Sequence, residues 1–126
     1  MADPKSLYEN DTAAWAGQQA AALRAARRSN SNQLVDWENL AEEIESLGKS
    51  LKYALASQIF RVVHHLVKLE YSPAVDPRKG WRRSIRQART EIRRILDDSP
   101  SLRREVARYD CRRDQTCHRI RYSGFA

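Results

Sequence analysis

A chain of 126 residues has room for one modest core. Its 41% hydrophobic content with only 4 Gly and 4 Pro excludes collagen-like and low-complexity chains and argues against global disorder. The net charge of +7 is lodged entirely in the second part: residues 1–70 carry 8 Lys plus Arg against 9 Asp plus Glu, residues 71–126 carry 15 against 7.

The first helical pattern runs from about Thr12 to Arg28, where Trp15 or Ala16, Ala20, Leu23 and Ala26 or Arg27 recur at three- and four-residue steps. Asp11 or Thr12 can cap its start, and Ser29-Asn30-Ser31-Asn32-Gln33 ends it, because these side chains compete for backbone hydrogen bonds. The second pattern is the strongest. Leu40, Ile44, Leu47, Leu51, Leu55, Ile59, Val62, Leu66 and Leu69 form one stripe between about Asp36 and Glu70, with Gln58 and His65 along an edge. The stripe passes Gly48 in phase, which predicts one long helix of about 50 Å at 1.5 Å per residue rather than two. In its later half Ala56, Phe60, Val63 and Val67 make the opposite face apolar as well, so that half is expected to be covered on both sides.

Ser72-Pro73 and Asp76-Pro77 break the pattern, since proline cannot continue a helix. A third helix follows from about Trp81 to Asp97 on Trp81, Ile85, Ala88, Ile92 and Ile95 or Leu96. Ser99 as N-cap with Pro100 in the first turn starts a fourth helix over about 100–110, through Leu102, Val106 and Tyr109. Residues 111–126 show no clear pattern. The expectation is a single all-α domain, an up-and-down bundle of about four helices around one long central helix.

Three ordered pieces carry a family resemblance. They are Leu34-Val35-Asp36-Trp37-Glu38-Asn39-Leu40-Ala41-Glu42-Glu43-Ile44-Glu45-Ser46-Leu47-Gly48, then His65-Leu66-Val67-Lys68-Leu69-Glu70-Tyr71-Ser72-Pro73, then Trp81 onward to Asp97-Asp98-Ser99-Pro100-Ser101-Leu102. From Leu7-Tyr8 to about Tyr109 the chain resembles the small bacterial proteins called domain of unknown function twenty-nine. That resemblance implies an all-helical fold and no established activity. Leu69 stands where the family usually has Trp, and Gly80 where Ser usually precedes the Trp.

The most pointed chemical feature is a row of arginines on the third helix. At about 100° per residue, Arg82, Arg86, Arg89 and Arg93 fall on one flank beside the apolar stripe, and Arg83 and Arg94 widen it. Of the 23 basic residues 18 are Arg, whose planar fork suits carboxylate and phosphate. Arg24, Arg27 and Arg28 of the first helix can meet Glu38 and Glu42, whereas Glu91, Asp97 and Asp98 are too few for the row. The expected function is a non-enzymatic interaction module that binds an acidic protein partner or a second copy of itself. The alternative is sequence-independent binding of a nucleic-acid backbone through the row, and the bland reading is a solvated face.

Other constellations are weaker. His65 is expected as a hydrogen-bonded core histidine whose protonation would make stability pH-sensitive. A metal or enzyme site around His65 and Glu43 would need two groups 22 residues apart, about 33 Å along one helix. Cys111, Cys117 and His118 lack a fourth zinc ligand and the usual tight cysteine spacing. Glu38, Glu42, Glu43 and Glu45 lack the Glu-x-x-His pattern of bundle metal sites, with Glu42 and Glu45 expected to point outward. Trp15, Trp37 and Trp81, near helix starts, are expected to be structural, as are Ser99 and Pro100. No cofactor and no small-molecule substrate is implied. The opening Met1-Ala2-Asp3-Pro4-Lys5 lacks a secretory leader's pattern, and no window nears the roughly 18 apolar residues of a membrane span, so a cytoplasmic location is expected.

Overall fold

A computed structural model describes residues 3–29 and 34–107, and among them there are helices and no strand. The order is α1 (Pro4–Asn10), α2 (Thr12–Ser29), α3 (Trp37–Tyr71), α4 (Arg78–Asp98), a 3-10 turn (Pro100–Leu102) and α5 (Arg103–Val106). The fold is all-α around one long central helix, as the periodicity predicts.

The long helix α3 is continuous through Gly48 for 35 residues, about 52 Å at 1.5 Å per residue. Asp36 caps it by accepting from the Asn39 N–H at 3.2 Å, and Ser72-Pro73 stops it. Its end carries a second device that periodicity does not reveal. The Arg78 guanidinium donates to the carbonyl of Leu69 at 2.6 Å and of Ser72 at 3.3 Å, satisfying orphan acceptors of the last turn. Arg78 is also where α4 begins, three residues earlier than the Trp81 expected, because the Pro77 carbonyl already accepts from the Trp81 N–H at 3.1 Å.

The short α1 is absent from the expectation. Its seven residues hold no apolar stripe long enough to read, yet its start has Asp3 accepting from the Ser6 N–H and Pro4 in the first turn. Tyr8 of α1 meets Trp15 of α2 edge-to-face at 4.9 Å between ring centres. The expected fourth helix, 100–110, is instead a 3-10 turn followed by one α-helical turn ending at Val106. Residues 108–126 lie outside those described.

Two helices divide the rod between them. α2 runs antiparallel along its first half, where Ala16, Ala20 and Ala41 are fully or almost fully buried. α4 runs antiparallel along its second half. The centre is a cluster of Leu55, Ile95 and Leu102, with Ala13, Leu51, Ile59, Ile92 and Leu96 packed around it. Here the start of α2 meets the end of α4, and a polar clasp joins them. Asp11 accepts from the Ala14 N–H at 2.9 Å, so it caps α2, and from the Ser101 N–H at 2.7 Å and hydroxyl at 2.9 Å. The buried Ser99 hydroxyl accepts from the Ala13 N–H at 3.2 Å. Ser99 does stand before the 3-10 turn, but its side chain caps α2 across the fold and makes no capping bond to its own turn.

One expectation is corrected. The later half of α3 is not covered on both sides among the described residues: Phe60 remains 51% and Leu66 50% exposed. The reason is length. α2 has 18 residues against 35 in α3 and stops at the middle of the rod.

The glycines make a measurable test of this packing. A Cβ on Gly48 would meet the Ala13 carbonyl and the Ala16 methyl at 3.6 Å, ordinary contact, and a Cβ on Gly17 would meet nothing within 4 Å. Gly17→Ala and Gly48→Ala should therefore each stabilise the protein by about 0.5–1 kcal/mol through helix propensity. A Cβ on Gly17 touches nothing that a Cβ on Gly48 touches, so the gains should add, raising the urea midpoint of the double variant above both singles.

Candidate functional site

The helix α4 presents its arginines as their spacing predicts. Its buried line is Ile85, Ala88 and Ile95, while Arg82, Arg83, Arg86, Arg89, Arg93 and Arg94 are all exposed. Arg94 leaves the set. It pairs with Glu91 at 2.9 Å and lies 3.6 Å from Asp98, and these carboxylates, Glu91 first, hold its guanidinium even more firmly protonated. The other five form no ion pair among the described residues. Arg82, Arg86, Arg89 and Arg93 thus line one flank at successive turns, over about 16 Å. At its start the half-buried Trp81 is occupied by Lys68, whose Nζ lies 5.5 Å from the ring centre. The row contains no exposed aromatic side chain.

The opposite end of the molecule balances its own charge. Arg24 pairs with Glu45 at 3.0 Å, Arg27 pairs with Glu38, and Lys49 lies 3.8 Å from Glu45. Glu45 was expected to point outward, but the antiparallel α2 brings Arg24 to it. The carboxyl is accordingly held below its ordinary 4.5, chiefly by the hydrogen bond from Arg24. Arg28 and Glu42 form no ion pair among the described residues. Exposed pairs of this kind add little to stability, so their role is to neutralise rather than to hold the fold.

His65 differs from expectation. It is half-buried, and its Nδ1 is shielded from solvent with no hydrogen-bond partner among the described residues. The indole nitrogen of Trp37 and the Oε1 of Gln58 share that condition. His64 stacks on Phe60 at 5.7 Å and meets His65 edge-on. Burial comes first in depressing both imidazoles below the ordinary 6.5. Lys68 adds to it for His64; His64, Lys68 and Arg61 add to it for His65. Glu43 is exposed, on the same rod but far from them. Among the described residues no group of three or more His, Cys, Asp or Glu is placed to hold a metal ion. Cys111, Cys117 and His118 lie outside the described residues.

The sign of the histidine shifts fixes a pH dependence. The unfolded chain takes up protons near 6.5, the folded chain only at lower pH, so protonation favours unfolding. The contribution is complete above about 6.5 and is lost as pH falls from there through the folded values. Tm should fall between pH 7 and 5, and a His64→Gln/His65→Gln variant should show a flatter profile in that window. Loss from Glu45 belongs below about 4.5, where its carboxylate becomes protonated.

These features define a small all-helical protein with a charge-balanced end and a basic face whose arginines are unpaired among the described residues. The chain belongs to the family described as domain of unknown function DUF29, whose model matches residues 7–114. No curated protein and no solved structure matches it. Among the described residues no helix is long and apolar enough to cross a membrane.

Proposed function

We propose that the protein is a non-enzymatic interaction module whose α4 face binds an acidic protein partner. The observation that carries this reading is the set of five exposed arginines, Arg82, Arg83, Arg86, Arg89 and Arg93, with no carboxylate paired to them among the described residues. Glu45, Glu38 and Glu91 are spent on Arg24, Arg27 and Arg94. Guanidinium groups at successive helical turns match carboxylates borne at the same period, and bidentate pairing adds geometry to charge. A phosphate backbone offers the same charge, but the row lacks an aromatic platform on which bases stack.

Fluorescence anisotropy tests the reading with labelled polyglutamate and a labelled single-stranded oligonucleotide, each at low and physiological salt. Polyglutamate should bind the protein, and the Arg82→Glu/Arg86→Glu/Arg89→Glu/Arg93→Glu variant should lose at least about tenfold in affinity. Tighter binding of the oligonucleotide, with a slope of about 0.7 in log affinity against log salt for each phosphate contacted, would transfer the row to nucleic acid. Binding of neither would make it a solvated surface.

A further inference from the structure

We infer that the side of the α3–α4 pair left open where α2 ends is a groove for an acidic amphipathic helix of a partner protein, an inference that rests on the acidic-partner reading of the arginine row. Two helix lines place the floor and the wall together. On α3, Gly48 and Leu66 are 18 residues apart, about five full turns, so they share one line of the rod. At Gly48 that line is covered by Ala13 and Ala16 of α2. At Leu66, with α2 no longer present, it is 50% exposed. Ile59 and Val63 lie beside the same line and are half-buried.

On α4, Leu96 packs against the central cluster that also receives Ala13 from α2. Arg89 and Arg82 follow Leu96 at seven-residue steps, on nearly the same line and therefore on the α2 side of the pair. Arg86 lies between them on the outer edge. The floor of the groove is thus Ile59, Val63 and Leu66, and its wall is Arg82, Arg86 and Arg89. These residues run beside α3 for about 10 Å, roughly two helical turns.

Chemistry and charge select the occupant. An apolar floor wants an apolar stripe, a cationic wall wants carboxylates on one flank of it, and a straight channel continuing the course of α2 suits a helix. The chain's own residues 108–126 carry five arginines against two aspartates, the wrong sign for this wall. A second copy brings a net charge of +7, so long-range repulsion opposes it.

The test uses the full chain and two synthetic peptides of about 16 residues, one with leucines at helical spacing and glutamates on one flank, the other a scramble of the same composition. Calorimetric titration should show the amphipathic peptide binding at least about tenfold tighter than the scramble. Leu66→Gln should erase that difference, with thermal melts confirming that the variant folds, while Arg82→Glu/Arg89→Glu should weaken both peptides. Equal binding of the two peptides, unaffected by Leu66→Gln, would overturn the groove and leave the acidic-partner reading standing. Binding of neither peptide would overturn both. A dimer dispersed by Leu66→Gln would assign the groove to a second copy and overturn the inference.

Discussion

Replacing Asp11 by alanine is expected to cost the fold about 3 kcal/mol, far more than its place in a two-helix junction suggests. Three hydrogen bonds converge on this carboxylate: from the Ala14 N–H, the Ser101 N–H and the Ser101 hydroxyl. The first is an N-cap, whose removal costs about 1 kcal/mol. The other two tie residues 90 apart in sequence and are charge-assisted, worth about 1.5–3 kcal/mol for hydrogen bonds to a charged group. The carboxylate also sits at the positive end of α2. Asp11→Asn keeps an acceptor oxygen but not the charge, so it should recover part of the loss. Ser99→Ala leaves the Ala13 N–H without its acceptor and should cost about 1–3 kcal/mol. Because Asp11 and Ser99 hold the same two chain segments, the double variant should lose less than the sum of the singles. Urea titration measures all four proteins, and a loss under about 1 kcal/mol for Asp11→Ala would refute the clasp as a main tie between α2 and the end of α4.

How much of this was legible beforehand differs by kind of interaction. Continuity of α3 through Gly48 was readable because the stripe of Leu47, Leu51 and Leu55 keeps its phase across the glycine, and the burial of Leu55, with Leu51 half-buried beside it, outweighs the roughly 1 kcal/mol propensity cost. The exposure of Arg82, Arg86, Arg89 and Arg93 was readable for the same reason: angle on a helix is local information. Arg94 was placed in the row although Glu91 and Asp98 stand three before and four after it, and that local spacing is what pairs it and takes it out of the set. The clasp was not readable. Ser99 has the residue type of a cap, but which orphan N–H it serves is decided by tertiary proximity, and the donor proved to be Ala13. Arg78 was hidden likewise, because its acceptors belong to the preceding helix. The half-open later part of α3 lay between these cases. Two apolar faces predicted two covers, and only the lengths, 18 residues of α2 against 35 of α3, show that one cover runs out.

That unequal covering is what a pair of leucine truncations should expose. Leu55 is fully buried, where α2, α3 and α4 meet, packed with Ile95 and Leu102. Leu55→Ala should therefore cost about 3–4 kcal/mol, the lost transfer free energy plus the cavity that the surrounding side chains cannot fill. Against a total stability of about 5–15 kcal/mol for a domain of this kind, that is a large share, and the core offers little redundancy. Among the described residues, apart from Leu55, its large buried residues are Ile85, Ile95 and Leu102, and the rest of the apolar core is alanine. Leu66→Ala removes the same atoms from the same helix, but at a position 50% exposed, where water already reaches the side chain and no closed cavity forms. It should cost under about 1 kcal/mol. Urea unfolding with an unchanged m-value would report the two losses on one scale. A loss at Leu66 approaching that at Leu55 would mean that the later half of α3 is covered in solution after all, and that the open groove does not exist in the free protein.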